Sequence, residues 1–181
     1  SSEGGGICWT SNRCTLIDST FINNTANQGG AIYGTSGSYY STLTRCTFIN
    51  NNANGAGGIR WEGHESTFNN CTLTGNAATN GYGGGAYMGV NGYGCILTGC
   101  TFTDNSATSS GGAFYSNNRC SLINCIFNNK WTKSNGVYAT NNLTINGGKG
   151  IVDLGIGGTL SGISIVVLNN ETYYYPPNTN I

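Results

Sequence analysis

Arg60, Glu62 and His64 stand at alternate positions with Glu65 beside them. A cation, a carboxylate and an imidazole so spaced could move a proton or hold an anion. The other carboxylates, Glu3, Asp18, Asp104, Asp153 and Glu171, occur singly along the chain. Glycoside cleavage, or lyase chemistry on calcium, needs carboxylates gathered on one face. The expected reading of Arg60 to Glu65 is therefore a solvated polar face. No catalytic residue is assigned, the chain is read as a non-enzyme, and no cofactor or metal is expected.

Cysteine is the second reactive set. Cys8, Cys14, Cys46, Cys71, Cys95, Cys100, Cys120 and Cys125 recur at related positions, without the close C-x-x-C pairs of zinc sites. Disulfides formed in an oxidising compartment are the expectation. Four acceptor patterns for N-glycans, at Asn23, Asn70, Asn142 and Asn170, point the same way, to an extracellular or cell-surface location. The single Met is Met88, which fits a processed or excised chain. No apolar stretch approaches the roughly 20 residues that span a bilayer. Seven Lys+Arg balance seven Asp+Glu, and charged residues make up 8% of the chain, so there is no basic footprint for nucleic acid.

The elements that must carry these groups follow from composition and repetition. Thirty glycines and abundant Asn, Thr and Ser disfavour helix and favour turns, so an all-β fold is expected. A block of Thr, an apolar residue, two more residues, Asn, a further residue and Ala, then a spacer and Gly-Gly, recurs from Thr20, Cys46, Cys71 and Cys100, with a worn copy from Cys125. Gly5 to Trp9 reads as half of an earlier copy. Equivalent cysteines are 25, 29 and 25 residues apart, the length of one coil of a solenoid. The spacing predicts a right-handed parallel β-helix of about six or seven rungs. At a rung spacing of ~4.8 Å that is a rod roughly 30 Å long.

In such a stack like residues meet like residues. Phe21, Phe48, Leu73, Phe102 and Phe127 are expected to form a core column. Asn24, Asn51, Asn76 and Asn105 are expected to form an amide ladder, which Lys130 breaks. Ala26, Ala53, Ala78 and Ala107 suit a tight interior corner, and Arg45 stacks over Asp18. After the glycine pairs, Ala31 and Tyr33, Ile59 and Trp61, Ala86 and Met88, and Ala113 and Tyr115 are expected to point inward. Cys46, Cys71, Cys100 and Cys125 form one ladder. Cys14, Ser41, Ser66, Cys95 and Cys120 form another. Adjacent rungs place Cα atoms at a separation that a disulfide accepts. The expected bridges are Cys46–Cys71, Cys95–Cys120 and Cys100–Cys125, leaving Cys8 for Cys14, with Cys71–Cys100 as the competing choice.

Residues 1–140 carry the repeats. Residues 141–181 add further strands and a Tyr/Pro-rich tail to the same domain. The two ends carry little charge and invite backbone pairing, with Gly5, Ile7 and Trp9 at one end and Ile163, Ile165 and Val167 at the other. Tyr173, Tyr174 and Tyr175 are expected to extend as a tail onto a neighbour.

The F-x-x-N and G-G-A-I pairing resembles the polymorphic outer membrane protein repeat, known from chlamydial surface proteins and from surface proteins of some protists. Phe21–Asn24 with Gly29–Ile32, Phe48–Asn51 with Gly57–Ile59, Leu73–Asn76 with Gly84–Ala86, and Phe102–Asn105 with Gly111–Phe114 carry the resemblance. It covers about Thr20 to Tyr138, and residues 142–181 do not follow it. The resemblance implies a β-helical, exported protein of adhesive or structural role. The function expected is a structural subunit of a glycosylated extracellular fibre that associates head to tail with itself. The alternative is an adhesin module of a longer surface protein, with a host or matrix glycan as partner. A pectate-lyase-like enzyme, or an ice-binding face built on Thr72, Thr74, Thr101 and Thr103, carries less weight, because Ile replaces the second Thr in earlier copies and β-branched residues are favoured on any exposed strand.

Overall fold

Three of the four strands in each coil follow one another across two-residue corners, and equivalent strands of successive coils pair in parallel. The computed structural model describes residues 3–128, 136–139 and 143–146, and the strand backbones at 150–154, 159–161, 164–168 and 171–175. The first face is a nine-stranded sheet that begins with Ile7–Trp9, Ile32–Gly34, Ile59–Trp61 and Ala86–Met88. The second face has seven strands, from Thr15–Ile17 to Thr159–Ser161. The third has five, from Thr20–Ile22 to Ile126–Asn128, and the fourth has four two-residue strands, from Thr25–Ala26 to Ser106–Ala107. This is the all-β parallel solenoid expected. The third face counts five rungs and the second seven.

The corners recur every five residues and share one backbone device. Asp18, Arg45, Asn70, Gly99 and Asn124 form a column of positive φ between the second and third faces. Asn23, Asn50, Gly75 and Asp104 form a second such column after the third face, and Arg13, Tyr40, Glu65 and Gly94 a third before the second face. Asn, Asp and Gly tolerate this left-handed conformation best, and they fill nine of these thirteen corners. Each corner also donates its N–H to the neighbouring coil, as from Asp18 to Thr44 O at 3.0 Å and from Asn70 to Thr98 O at 2.8 Å. Asp18 and Arg45, stacked here, form a two-pronged exposed pair at 2.7 and 2.8 Å.

Between corners, alternation of the extended chain decides what is buried. Phe21, Phe48, Leu73, Phe102 and Phe127 pair in one column, with Phe21 on Phe48 at 5.2 Å and Phe102 on Phe127 at 4.9 Å between ring centroids. A parallel column on the second face runs Leu16, Leu43, Phe68, Leu97, Leu122 and Ile145. Burying each large side chain of these columns contributes about 1.5–3 kcal/mol.

The polar interior is a ladder of amides. Asn24 Nδ2 donates to Asn51 Oδ1, Asn51 Nδ2 to Asn76 Oδ1 and Asn76 Nδ2 to Asn105 Oδ1, all at 2.9 Å. Each Oδ1 also accepts the backbone N–H of the Asn one coil earlier, at 3.0 Å. The second amide hydrogen satisfies a carbonyl in that earlier coil, Phe21 O for Asn51 and Phe48 O for Asn76. The expected amide ladder is thus present along four coils. The alanines beside it, Ala26, Ala53, Ala78 and Ala107, are buried.

One part of the expected register is off by a residue. On the first face Ile32 heads a column through Ile59, Ala86, Phe114 and Val137, so Gly34 points inward where Tyr33 was expected, while Ala31, just before the strand, is buried in the core as expected. In the fourth copy Phe114 and Ser116 take the inward strand positions in place of Tyr115, and Ala113 is buried in the core as expected. A one-residue slip moves every side chain to the other face. Gly34 then has a reason of its own. A Cβ there would lie 2.4 Å from the Trp61 ring, and Trp9 meets Trp61 edge-on across it at 5.5 Å.

The far end departs from the parallel pattern. Glu171–Tyr175 lies between Gly150–Leu154 and Ser164–Leu168 and is antiparallel to both. Tyr173, Tyr174 and Tyr175 are therefore part of the sheet and form no free tail. Backbone pairing on both sides satisfies the donors and acceptors that an extended tail would leave to a neighbour. Lys130, Asn142, Ile163 and Asn170 lie outside the described residues.

Candidate functional site

The first face turns outward a column that starts at Cys8 and continues through Tyr33, Arg60, Tyr87, Tyr115 and Tyr138. Alternation creates it, because each member neighbours inward residues such as Ile59 and Trp61. Sequence reading missed this column, since it assigned Tyr33 and Tyr115 to the interior. The signal that finds it is the aromatic residue following Ile32, Ala86, Phe114 and Val137.

Arg60 is fixed on every side. Its guanidinium lies over the Tyr87 ring at 5.0 Å and the Tyr33 ring at 5.8 Å. Nε and Nη2 approach Glu62 Oε1 at 3.1 and 2.9 Å, and Nη1 donates to Gln28 Oε1 at 2.5 Å. A planar cation held between two rings and two acceptors is a rivet between coils. Glu62 is 7% exposed and lies against Gly89, where a Cβ would come within 2.0 Å of Oε2.

Arg60, Glu62 and His64 do not share one strand face, because the strand ends at Trp61. His64 sits elsewhere, sandwiched face to face between Tyr39 and Tyr93 at 4.9 Å on each side, with Tyr40 edge-on at 5.5 Å. Its Nδ1 is buried without a hydrogen-bond partner. Glu65 is exposed at a positive-φ corner and engages the Tyr40 hydroxyl, which raises that phenol above its usual range. The four residues thus belong to two stacks that pin successive coils.

Burial, with the neighbouring phenols, pushes Tyr115 up to about 12, and burial also raises Tyr87 and Tyr33. Tyr115 is the centre of a cluster, with Tyr82 at 4.6 Å and 42°, Tyr138 at 5.2 Å and 18°, and Tyr87 at 5.4 Å and 12°. Asn117 Nδ2 donates to the Tyr87 hydroxyl oxygen at 2.5 Å.

All eight cysteines are thiols. The expected ladders exist, but each sulfur points toward backbone carbonyls. Cys71 Sγ donates toward Leu43 O at 3.7 Å, Cys100 Sγ toward Phe68 O at 3.3 Å and Cys125 Sγ toward Leu97 O at 3.5 Å. Cys95 and Cys120 pair in register and do the same toward Gly63 O and Gly92 O. Contact with the Cys120 thiol and burial raise Cys95 well above the usual thiol range; contact with Cys125 and Cys71, then burial, does the same for Cys100. Cys8 and Cys14 are not brought together. Cys8 faces outward between Ile7 and Trp9 and donates to Glu3 Oε2 at 2.8 Å, whereas Cys14 heads the column of Ser41 and Ser66.

Asn23 and Asn70, the two glycan acceptors among the described residues, are both exposed at positive-φ corners. The outward threonines of the third face, Thr20, Thr47, Thr72 and Thr101, are in register, and on the second face the Thr42 and Thr67 hydroxyls bond each other at 3.1 Å. Among the described residues no group of three or more His, Cys, Asp or Glu side chains is arranged to hold a metal, and no helix is long and apolar enough to cross a membrane.

Residues 1–152 match the family model of the right-handed β-helix region. Neither a curated protein nor a solved structure matches the chain. That match spans more than half of the sequence and agrees with four stacked faces of parallel strands, so the chain belongs to the right-handed β-helix family.

Proposed function

We propose that this protein is a structural subunit of an extracellular fibre or surface layer whose copies stack end to end. One observation carries the reading. Ile7–Trp9 and Ser164–Leu168 are the two outer strands of the same nine-stranded sheet, and they run in the same direction. Two antiparallel steps through Glu171–Tyr175 restore the parallel sense, so Ser164–Leu168 of one copy can meet Ile7–Trp9 of the next as rungs meet within a copy. Neither strand contains a charged residue to oppose pairing. The resemblance to the polymorphic outer membrane protein repeat supports the surface location, as do the exposed acceptors Asn23 and Asn70. On export, the in-register thiols Cys46–Cys71, Cys95–Cys120 and Cys100–Cys125 would meet an oxidising medium, where peptide mapping without reduction reads whether they bridge.

Mass by light scattering over a range of concentrations tests the assembly. Successive N–H groups of a strand point to opposite sides, so one of Val166→Pro and Val167→Pro removes a donor on the outer edge. The wild type is expected to grow in mass with concentration, and that variant to remain monomeric with an unchanged β signal in circular dichroism. A wild type that stays monomeric at every concentration overturns the fibre. The second reading, a binding module, is favoured by the outward column of Tyr33, Arg60, Tyr87, Tyr115 and Tyr138. It would then stand alone.

A further inference from the structure

Tyr115 is 6% exposed and its ring touches three other phenols, while Tyr82, the nearest of them, is 43% exposed. We propose that this cluster is an oxidative cross-linking site at which Tyr82 and Tyr115 are joined carbon to carbon as dityrosine, the oxidant being peroxide delivered by a haem peroxidase. The two residues stand on successive coils, since Tyr82 bridges to Ser110 and Tyr87 pairs with Tyr115. The bond would therefore clamp one coil to the next on the outside of the rod.

The geometry favours this pair over its neighbours. Tyr87 and Tyr138 lie nearly parallel to Tyr115, at 12° and 18°, so their ring faces oppose. Tyr82 is closer, at 4.6 Å between ring centroids, and tilted by 42°, so its ring does not lie flat against Tyr115 as the other two do. Exposure completes the argument. An enzyme-borne oxidant reaches Tyr82 from solvent, and a radical formed there can pass to Tyr115, where burial shields it. A second oxidation of Tyr82 then sets two radicals against each other.

The chemistry balances without any group from the protein beyond the two side chains. Each phenol gives up one electron and its hydroxyl proton, and the two phenoxyl radicals couple at ortho carbons. The two ortho hydrogens then return to the oxygens as the rings regain aromaticity. Peroxide accepts the two electrons and two protons and leaves as two molecules of water. A phenol is protonated at neutral pH, and burial shifts Tyr115 and Tyr87 further in that direction, so the oxidation removes a hydrogen atom from each ring.

The test treats the full chain, dilute, with a haem peroxidase and hydrogen peroxide. It reads dityrosine fluorescence, intact mass, and the linked peptides after digestion. The expected product is a monomer lighter by two hydrogens whose linked peptide contains Tyr82 and Tyr115. Tyr82→Phe and Tyr115→Phe each remove only a hydroxyl and should lose that product. Tyr33→Phe should keep it, because Tyr33 stacks on the Arg60 guanidinium. Links confined to other tyrosines, links only between molecules, or an unchanged yield in Tyr115→Phe would each overturn the proposal. The outcome does not depend on whether copies stack end to end.

Discussion

At the residue scale the amide ladder ties coil to coil, and from Asn51 to Asn105 its amide-to-amide bonds lie away from water. Asn76 accepts from the backbone and side chain of Asn51 and donates to Asn105 and to Phe48 O. Asn76→Ala orphans two donors of Asn51 and one carbonyl, each at about 1–3 kcal/mol. Asn54, whose amide bonds Asn27 at the surface, is the matched comparison. Urea denaturation should show Asn76→Ala losing several kcal/mol, and Asn54→Ala changing stability by no more than about 0.5 kcal/mol. Equal losses would mean that the buried ladder contributes nothing special. This ladder was legible in the sequence because the core apolar residue, Asn and Ala keep fixed offsets in the copies from Thr20, Cys46, Cys71 and Cys100, leaving no insertion to shift the register. The tyrosine column was illegible for the opposite reason. The glycine pair begins three residues before the inward residue of the first face at Ile32 and Phe114 but two before it at Ile59 and Ala86, so glycine pairs do not mark equivalent positions.

At the element scale the strands are short because the corners come every five residues, and each corner costs a left-handed residue. Where the residue is Gly, the site is cheap to hold. Gly99 has φ +62°, and a Cβ there would fall 2.3 Å from Asn70 Oδ1, a side chain with room to move. Gly99→Ala should therefore cost chiefly the backbone term, about 1–2 kcal/mol, seen as a lower urea midpoint with unchanged slope. No change would show that the corner relaxes to another conformation. Sequence reading did not place these corners, since Arg13, Tyr40, Arg45 and Glu65 occupy them with no bias toward positive φ. The thiol columns teach a related lesson. Stacking predicts which cysteines are neighbours. Cys71 Sγ, for example, lies near Asn69 O in its own coil as well as Leu43 O in the preceding one, and spacing carries no record of that arrangement.

At the scale of the whole molecule the chain is a rod whose interior columns run along its axis, so each rung supplies what the next one needs. Under the proposed assembly the same logic extends to further copies through the two outer strands of the first face. Side-to-side association through the threonine rows would build a different object, with rungs of adjacent rods side by side. X-ray diffraction from oriented assemblies of the purified chain separates these outcomes most directly. Stacking end to end predicts strands perpendicular to the fibre and a meridional reflection at about 4.8 Å, strong in the wild type and absent in the edge-blocking proline variant. A reflection of that spacing on the equator, or assemblies that survive both proline substitutions, would contradict it.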